Sequence, residues 1–289
     1  MKELVRDVEG RGHPIRVVEI DADDVTEHPS LMEAVFRADV TGVVIRGALK
    51  ESVVRDATAR LESAENAARW ASPNQGMPGG ELRTIGDAAT PTFTAFRGPP
   101  AERYGASAAQ RHDYDEAAFG GDGPLEALGR LFSGLSEGRP SGPPAFDEQT
   151  DWLPYNFRAL DPGVQIYSHH DDHYGLPIYE HMDERYDRSV ILSWFVTLQP
   201  AEVDGQLIVY GLWGSDPDPP MLPTRFLDTQ ALEDGYKRYA FNLGAGDLVV
   251  FNSGRYVHRV SPVRGNRPRV TLGGFLTADV ERTEVVFWS

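Results

Sequence analysis

Eight short apolar stretches punctuated by Gly, Pro and Asp fill the second half of the chain, and a cluster of histidines and carboxylates closes the first of them. These two observations predict a mainly β protein with flanking helices: a double-stranded β-helix, the jelly-roll or cupin-like barrel, with a helical N-terminal part. The expected strands are Val164–His169, Val190–Leu198, Gln206–Tyr210, Tyr239–Leu243, Asp247–Asn252, Val257–Val263, Arg269–Leu276 and Glu284–Trp288. Such punctuation fits a jelly roll better than a parallel α/β sheet.

The first half reads differently. Ile15–Ile20 is short and β-branched, and Asp21–Asp24 then offers helix N-cap candidates for the stretch running toward Ala38. Val43–Ile45 reads as a buried strand and Glu51–Ala67 as an amphipathic helix. From Ser72 to about Ser141 the composition turns to Gly, Pro, Ala and charge, with a second helix at Leu125–Leu135. That stretch suits substrate loops or a surface insertion. No linker divides the chain. We expect a single domain over 1–289, with helix-rich support and substrate loops in 1–150 and the jelly-roll core in 151–289.

Composition excludes several chemistries. The 289 residues include no cysteine, so thiolate metal sites, disulfides and cysteine nucleophiles are ruled out, and any transition metal must sit on His, Asp or Glu. A formal net charge of -16 argues against nucleic acid and anionic membranes as partners, because phosphate contacts need clustered Lys and Arg. No apolar run is long enough to span a bilayer, and the N-terminus lacks the layout of a signal peptide, so a cytoplasmic location is expected.

The chemistry gathers around the segment Tyr167-Ser168-His169-His170-Asp171-Asp172-His173 and around His258. Residues two apart on a strand share a face, so His169 and Asp171 can both face a barrel interior. Two histidines and one carboxylate on one side of a metal leave three positions open, the arrangement of non-haem Fe(II) oxygenases. The metal ligands expected are therefore His169, Asp171 and His258. The frame His170/Asp172 has the same spacing, and His-His-Asp-Asp-His superficially suggests a dinuclear hydrolase. That reading needs more downstream ligands than the chain offers. Strand phase favours the first frame and leaves His170 and His173 in the second shell or in solvent.

A strand at Gly246–Asn252, a turn, His258 and then arginines on the next strand carry a second message. An arginine deep in the barrel can fork onto a planar carboxylate with two parallel hydrogen bonds. 2-Oxoglutarate, chelating iron through its keto-acid end, would extend its distal carboxylate to such a group. Arg267 is the expected anchor, and Arg269, on the same strand face, is the alternative.

The phrases Phe251-Asn252-Ser253-Gly254-Arg255 through His258, Gly265-Asn266-Arg267-Pro268-Arg269 and Gly273-Gly274-Phe275-Leu276 closely resemble the standalone alkaloid halogenases that act on hapalindole-type and welwitindolinone-type substrates. The likeness extends to Gly205–Tyr210, Gly42–Gly47 and the closing Phe287-Trp288-Ser289, and is weakest from about 70 to 150. It implies Fe(II) and 2-oxoglutarate as cofactors, O2 as co-reactant and a small-molecule substrate. In those halogenases the position matching Asp171 is glycine, and the vacated iron site accepts chloride. A carboxylate there occupies that site, so the resemblance implies a hydroxylase sibling.

The resemblance also carries an arginine at the position of Arg158, which would hold the keto-acid end of the cosubstrate or a substrate carboxylate. Ile166 and Ser193 match positions lining the cavity near iron, and Phe93, with Phe96 and Tyr167, is a candidate substrate contact. The expected activity is hydroxylation of an unactivated C–H bond in an amino-acid derivative or natural-product intermediate, with release of succinate and CO2. A halogenase, desaturase or cyclising oxidase on the same scaffold, and a non-catalytic cupin-like binding protein, are the alternatives.

Overall fold

The computed structural model describes residues 4–72, 82–90 and 100–289. Two antiparallel-dominated sheets face each other in a jelly roll. The smaller has four strands, in the order Arg238–Ala240, Leu207–Trp213, Tyr256–Val260 and Ile166–His169. The larger has ten, and the long strand Arg269–Ala278 lies at its centre, paired with Leu192–Gln199 on one side and with Asn156–Leu160 and Val285–Trp288 on the other.

Alternation along each strand of the large sheet decides which side chains face the cavity. On Leu248–Phe251, Val249 and Phe251 point inward and pack with Leu207, Val209 and Tyr256 of the small sheet. Leu248 and Val250 point outward into a second core, with Trp194, Val196, Leu272 and Phe287. Helices close that outer face. Helix Glu51–Leu61 contributes Val54 and Leu61, and helix Leu125–Gly134 contributes Leu128, Leu131 and Phe132. The Phe132 ring meets Trp194 edge-on at 5.2 Å and Phe287 at 5.1 Å. A side chain of this size contributes about 1.5–3 kcal/mol when fully buried, so the helical part is bonded to the sheet by its core.

The eight expected strands are all present, most with ends shifted by one to three residues. Val257–Val263 is divided into Tyr256–Val260 and Val263–Arg264, because the chain bends at Ser261-Pro262. Five of the described strands were not legible, among them the two-residue Ser141–Gly142 and Val203–Asp204. Leu4–Val8 is an exposed hairpin partner of Ile15–Asp21; Leu82–Ile85 and Asn156–Leu160 hydrogen-bond to one another beside the central strand. The Ala-rich stretch expected to be loop carries two helices, Pro100–Ala109 and Arg111–Phe119, the second ending at Gly120 in the left-handed conformation. No helix among the described residues is long and apolar enough to cross a membrane.

Candidate metal centre

Strand pairing brings the two histidines together. In the small sheet His258 and His169 are direct cross-strand partners, and their ring centroids are 4.3 Å apart. The chain leaves the Ile166–His169 strand after His169, and the amide of Asp171 donates to the Ser253 carbonyl at 3.0 Å. This bond ties the acid to the turn that precedes His258. The ligand atoms of His169, Asp171 and His258 all lie within 4.8 Å of one another. Asp171 Oδ1 is 3.6 Å from His169 Nε2, and Oδ2 is 3.9 Å from His258 Nε2.

The far side of each ligand is also bonded. His169 Nδ1 donates to the Tyr167 carbonyl at 2.7 Å and His258 Nδ1 to the Tyr256 carbonyl at 3.0 Å. These bonds place the proton on Nδ1 and leave Nε2 as a lone pair aimed at the shared centre, the tautomer a metal requires. Ser193 Oγ donates to Asp171 Oδ2 at 2.6 Å, and His173 Nε2 stands 3.0 Å from Oδ1. Burial pushes the Asp171 carboxyl up, but the His173 hydrogen bond and the His258, His173 and His169 rings outweigh it and hold the group well below the usual range. Burial, and then the like charge of His169, push His258 down to about 4. With both Nδ1 atoms bonded to carbonyls, the centre offers two inward Nε2 atoms and one carboxylate, a donor set that fits a divalent transition metal and would leave coordination positions open.

A cavity of about 420 Å³ opens beside these atoms. Ile166 and Ser193 line it, as expected, and so does Tyr167. Deeper in lie Arg158, Arg269 and Thr271. Arg269, Thr271, Gly273 and Phe275 share the inward face of the central strand, and Arg158 stands opposite Thr271 on the neighbouring strand. Arg269 is 7% exposed, its guanidinium lies over the Phe195 ring at 4.8 Å, and burial together with the Arg158 charge lowers it to about 10. Burial also lowers Arg158, against the pull of Asp171. Its Nε donates to Asn156 Oδ1 at 3.1 Å, while Nη2 is buried without a partner among the described residues. Among the described residues neither guanidinium has a carboxylate within ion-pairing distance. Two desolvated cations without counter-ions form a cradle that an organic anion fits.

One expectation needs correcting. Arg267 does not line the cavity: it sits on the exposed turn before the central strand, and its guanidinium donates to the Gln199 side chain. Gly265, Asn266 and Arg267 precede the first paired residue of that strand, so only Arg269 acquires the inward phase. Phe93 and Phe96 lie outside the described residues. His170 packs against Gly214 and Asp172 is exposed, and neither belongs to the group formed by His169, Asp171 and His258. From the sequence, His173 was expected either behind the metal ligands or in solvent, and it stands against Asp171. Its alternate spacing from His169 and Asp171 was the available signal, and the chain there is irregular rather than a strand.

A family model described as "Carrier-protein-independent halogenase WelO5" matches residues 14–289. No curated protein matches the chain. Among solved structures, the N-substituted L-amino acid dioxygenase from Burkholderia ambifaria AMMD is similar over 99% of both chains, with a TM-score of 0.54 and 16% identity. A structure of that dioxygenase in complex with alpha-KG gives 0.53 and 14% identity, again over 99% of both chains. At such identities the likeness shows the shared fold.

Proposed function

The chain belongs to the carrier-protein-independent halogenase WelO5 family, and from that premise we propose that it is an Fe(II)- and 2-oxoglutarate-dependent hydroxylase. It oxidises an unactivated C–H bond of a small molecule and releases succinate and CO2. One observation carries the choice of hydroxylase. A carboxylate stands between the two imidazoles, fixed by Ser193 and His173 on its two oxygens. A halide entering the same position would meet a buried negative charge and lose the space the carboxylate fills.

In this reading His169, Asp171 and His258 hold Fe(II). Arg269 receives the distal carboxylate of 2-oxoglutarate, and Arg158 faces its keto-acid end or a substrate carboxylate. When bound, iron with 2-oxoglutarate and O2 supplies the oxidising power for C–H cleavage. The chain supplies the rest. The Tyr167 and Tyr256 carbonyls keep both imidazole lone pairs inward, the guanidiniums orient the cosubstrate, and the apolar walls at Ile166, Phe195 and Phe251 exclude water. Leu82 and Thr90 also line the cavity, which supports treating 1–150 and 151–289 as parts of one catalytic unit.

The family match favours a second reading, chlorination at the same centre. Anaerobic addition of Fe(II) and 2-oxoglutarate, followed by O2 and a substrate panel with and without chloride, separates the readings. A visible charge-transfer band, succinate release and a chloride-independent product gaining one oxygen support the hydroxylase. A chlorinated product overturns it, and a wild-type protein with neither band nor succinate supports a binding protein instead.

A further inference from the structure

His173 lies four residues after His169, in the irregular segment that follows the strand. It is 6% exposed. Its ring is held edge-on by Phe275 at 5.2 Å and 77°, and its own carbonyl accepts from the Leu176 amide at 2.9 Å. Nε2 is 3.0 Å from Asp171 Oδ1, and Nδ1 is buried with no partner among the described residues. An ionised carboxylate offers only acceptors, so the proton between the two groups belongs to Nε2. Among the described residues the Nδ1 side makes no bond that would orient the ring, which packs on Phe275 and bonds to Asp171.

We propose that His173 is a positioning residue for the metal centre: its Nε2–H holds Asp171 Oδ1 from the side opposite Ser193 and sets the rotation at which the carboxylate meets the metal. The inference rests on the reading of His169, Asp171 and His258 as the ligand set. Asp171 has short reach, and a carboxylate held by one donor can still turn about its Cβ–Cγ bond. Ser193 grips Oδ2 at 2.6 Å, on the side nearer His258, and His173 grips Oδ1, on the side nearer His169. The two donors together leave one orientation. Bonds of this kind to a metal ligand change metal affinity by about 10–100-fold when they are removed.

The test uses Co(II), whose visible spectrum reports coordination geometry, titrated into the full chain carrying His173→Leu, His173→Asn or His173→Gln. A glutamine amide nitrogen reaches the position of Nε2, whereas an asparagine amide reaches only that of Nδ1. Gln is expected to keep the wild-type spectrum and to bind Co(II) within about threefold of wild type, while Leu and Asn weaken binding by about tenfold or more and alter the spectrum. Should Leu fail to fold, the contrast between Asn and Gln decides alone. Equal affinity and equal spectra across Asn, Gln and wild type overturn the proposal. A wild-type protein that shows the Gln/Asn contrast yet no Fe(II)–2-oxoglutarate band retains this role for His173 and refutes the oxygenase reading. One that releases succinate but is indifferent to the Asn substitution does the reverse.

Discussion

The two ends of the cavity are built to opposite specifications. At the metal end every ligand is braced from behind: His169 and His258 by backbone carbonyls, Asp171 by Ser193, by His173 and through its own amide by the Ser253 carbonyl. At the other end Arg269 rests on an aromatic face, Arg158 keeps a buried nitrogen unbonded, and neither has a carboxylate partner among the described residues. The first end is preorganised and needs only an ion. The second is electrostatically incomplete and stabilises whichever anion completes it, since a desolvated cation gains most from a partner that arrives already oriented.

Substitutions can break this contrast, beginning with the most severe. His258→Ala removes one of the two imidazoles and leaves His169 and Asp171 as the remaining pair of ligands. Metal binding, the charge-transfer band and succinate release should all be lost to below about 1% of wild type, read by anaerobic spectroscopy and succinate assay. Asp171→Gly empties the braced position itself, and hydroxylated product should fall by about 100-fold or more. Product mass spectrometry in the presence of chloride shows whether the freed site then takes a halide.

The arginine end offers a sharper comparison, because two arginines stand two positions apart. Arg269→Leu should raise the KM for 2-oxoglutarate by about 10–100-fold, the equivalent of the ~1.5–3 kcal/mol carried by charge-assisted hydrogen bonds. Arg267→Leu, on the exposed turn, should change it by less than about twofold. Equal effects at both positions would mean that the anchor reaches the anion from outside the cavity.

The smallest effect is a pH dependence of the metal-free protein. His258 is neutral in the fold down to about 4, while the unfolded chain takes up that proton near 6.5. Between these values the unfolded state binds more protons, so stability falls as pH drops through the window, by at most about 1.4 kcal/mol per unit. Asp171 has a lowered pKa and adds a loss in the same direction at lower pH, below its ordinary value of 3.8. Thermal melts at pH 7, 6, 5 and 4.5 should show the first slope, and His258→Gln should flatten it.

Much of this architecture was legible in advance. Leu192–Gln199, Leu248–Phe251 and Arg269–Ala278 stand out as short, largely apolar runs because each buries both faces, one under helices and the other toward the cavity. Asn156–Leu160 escaped notice although it carries Arg158, because it is only five residues long and its buried Asn156 and half-buried Arg158 read as surface residues until their neighbours are placed. The Pro100–Phe119 helices were missed because Ala, Gly and charged residues signal surface and loop as readily as helix.

The sequence by itself determined the donor types, the two-histidine spacing and the family phrases around His258, since these are properties of residue identity and order. Only the tertiary structure decided which arginine enters the cavity and which histidine braces Asp171. Arg267 and Arg269 have the same chemistry and the same parity. They are separated by where pairing of the central strand begins, and that point is set by its hydrogen bonds to Leu160 and Gln199, which lie far away in sequence.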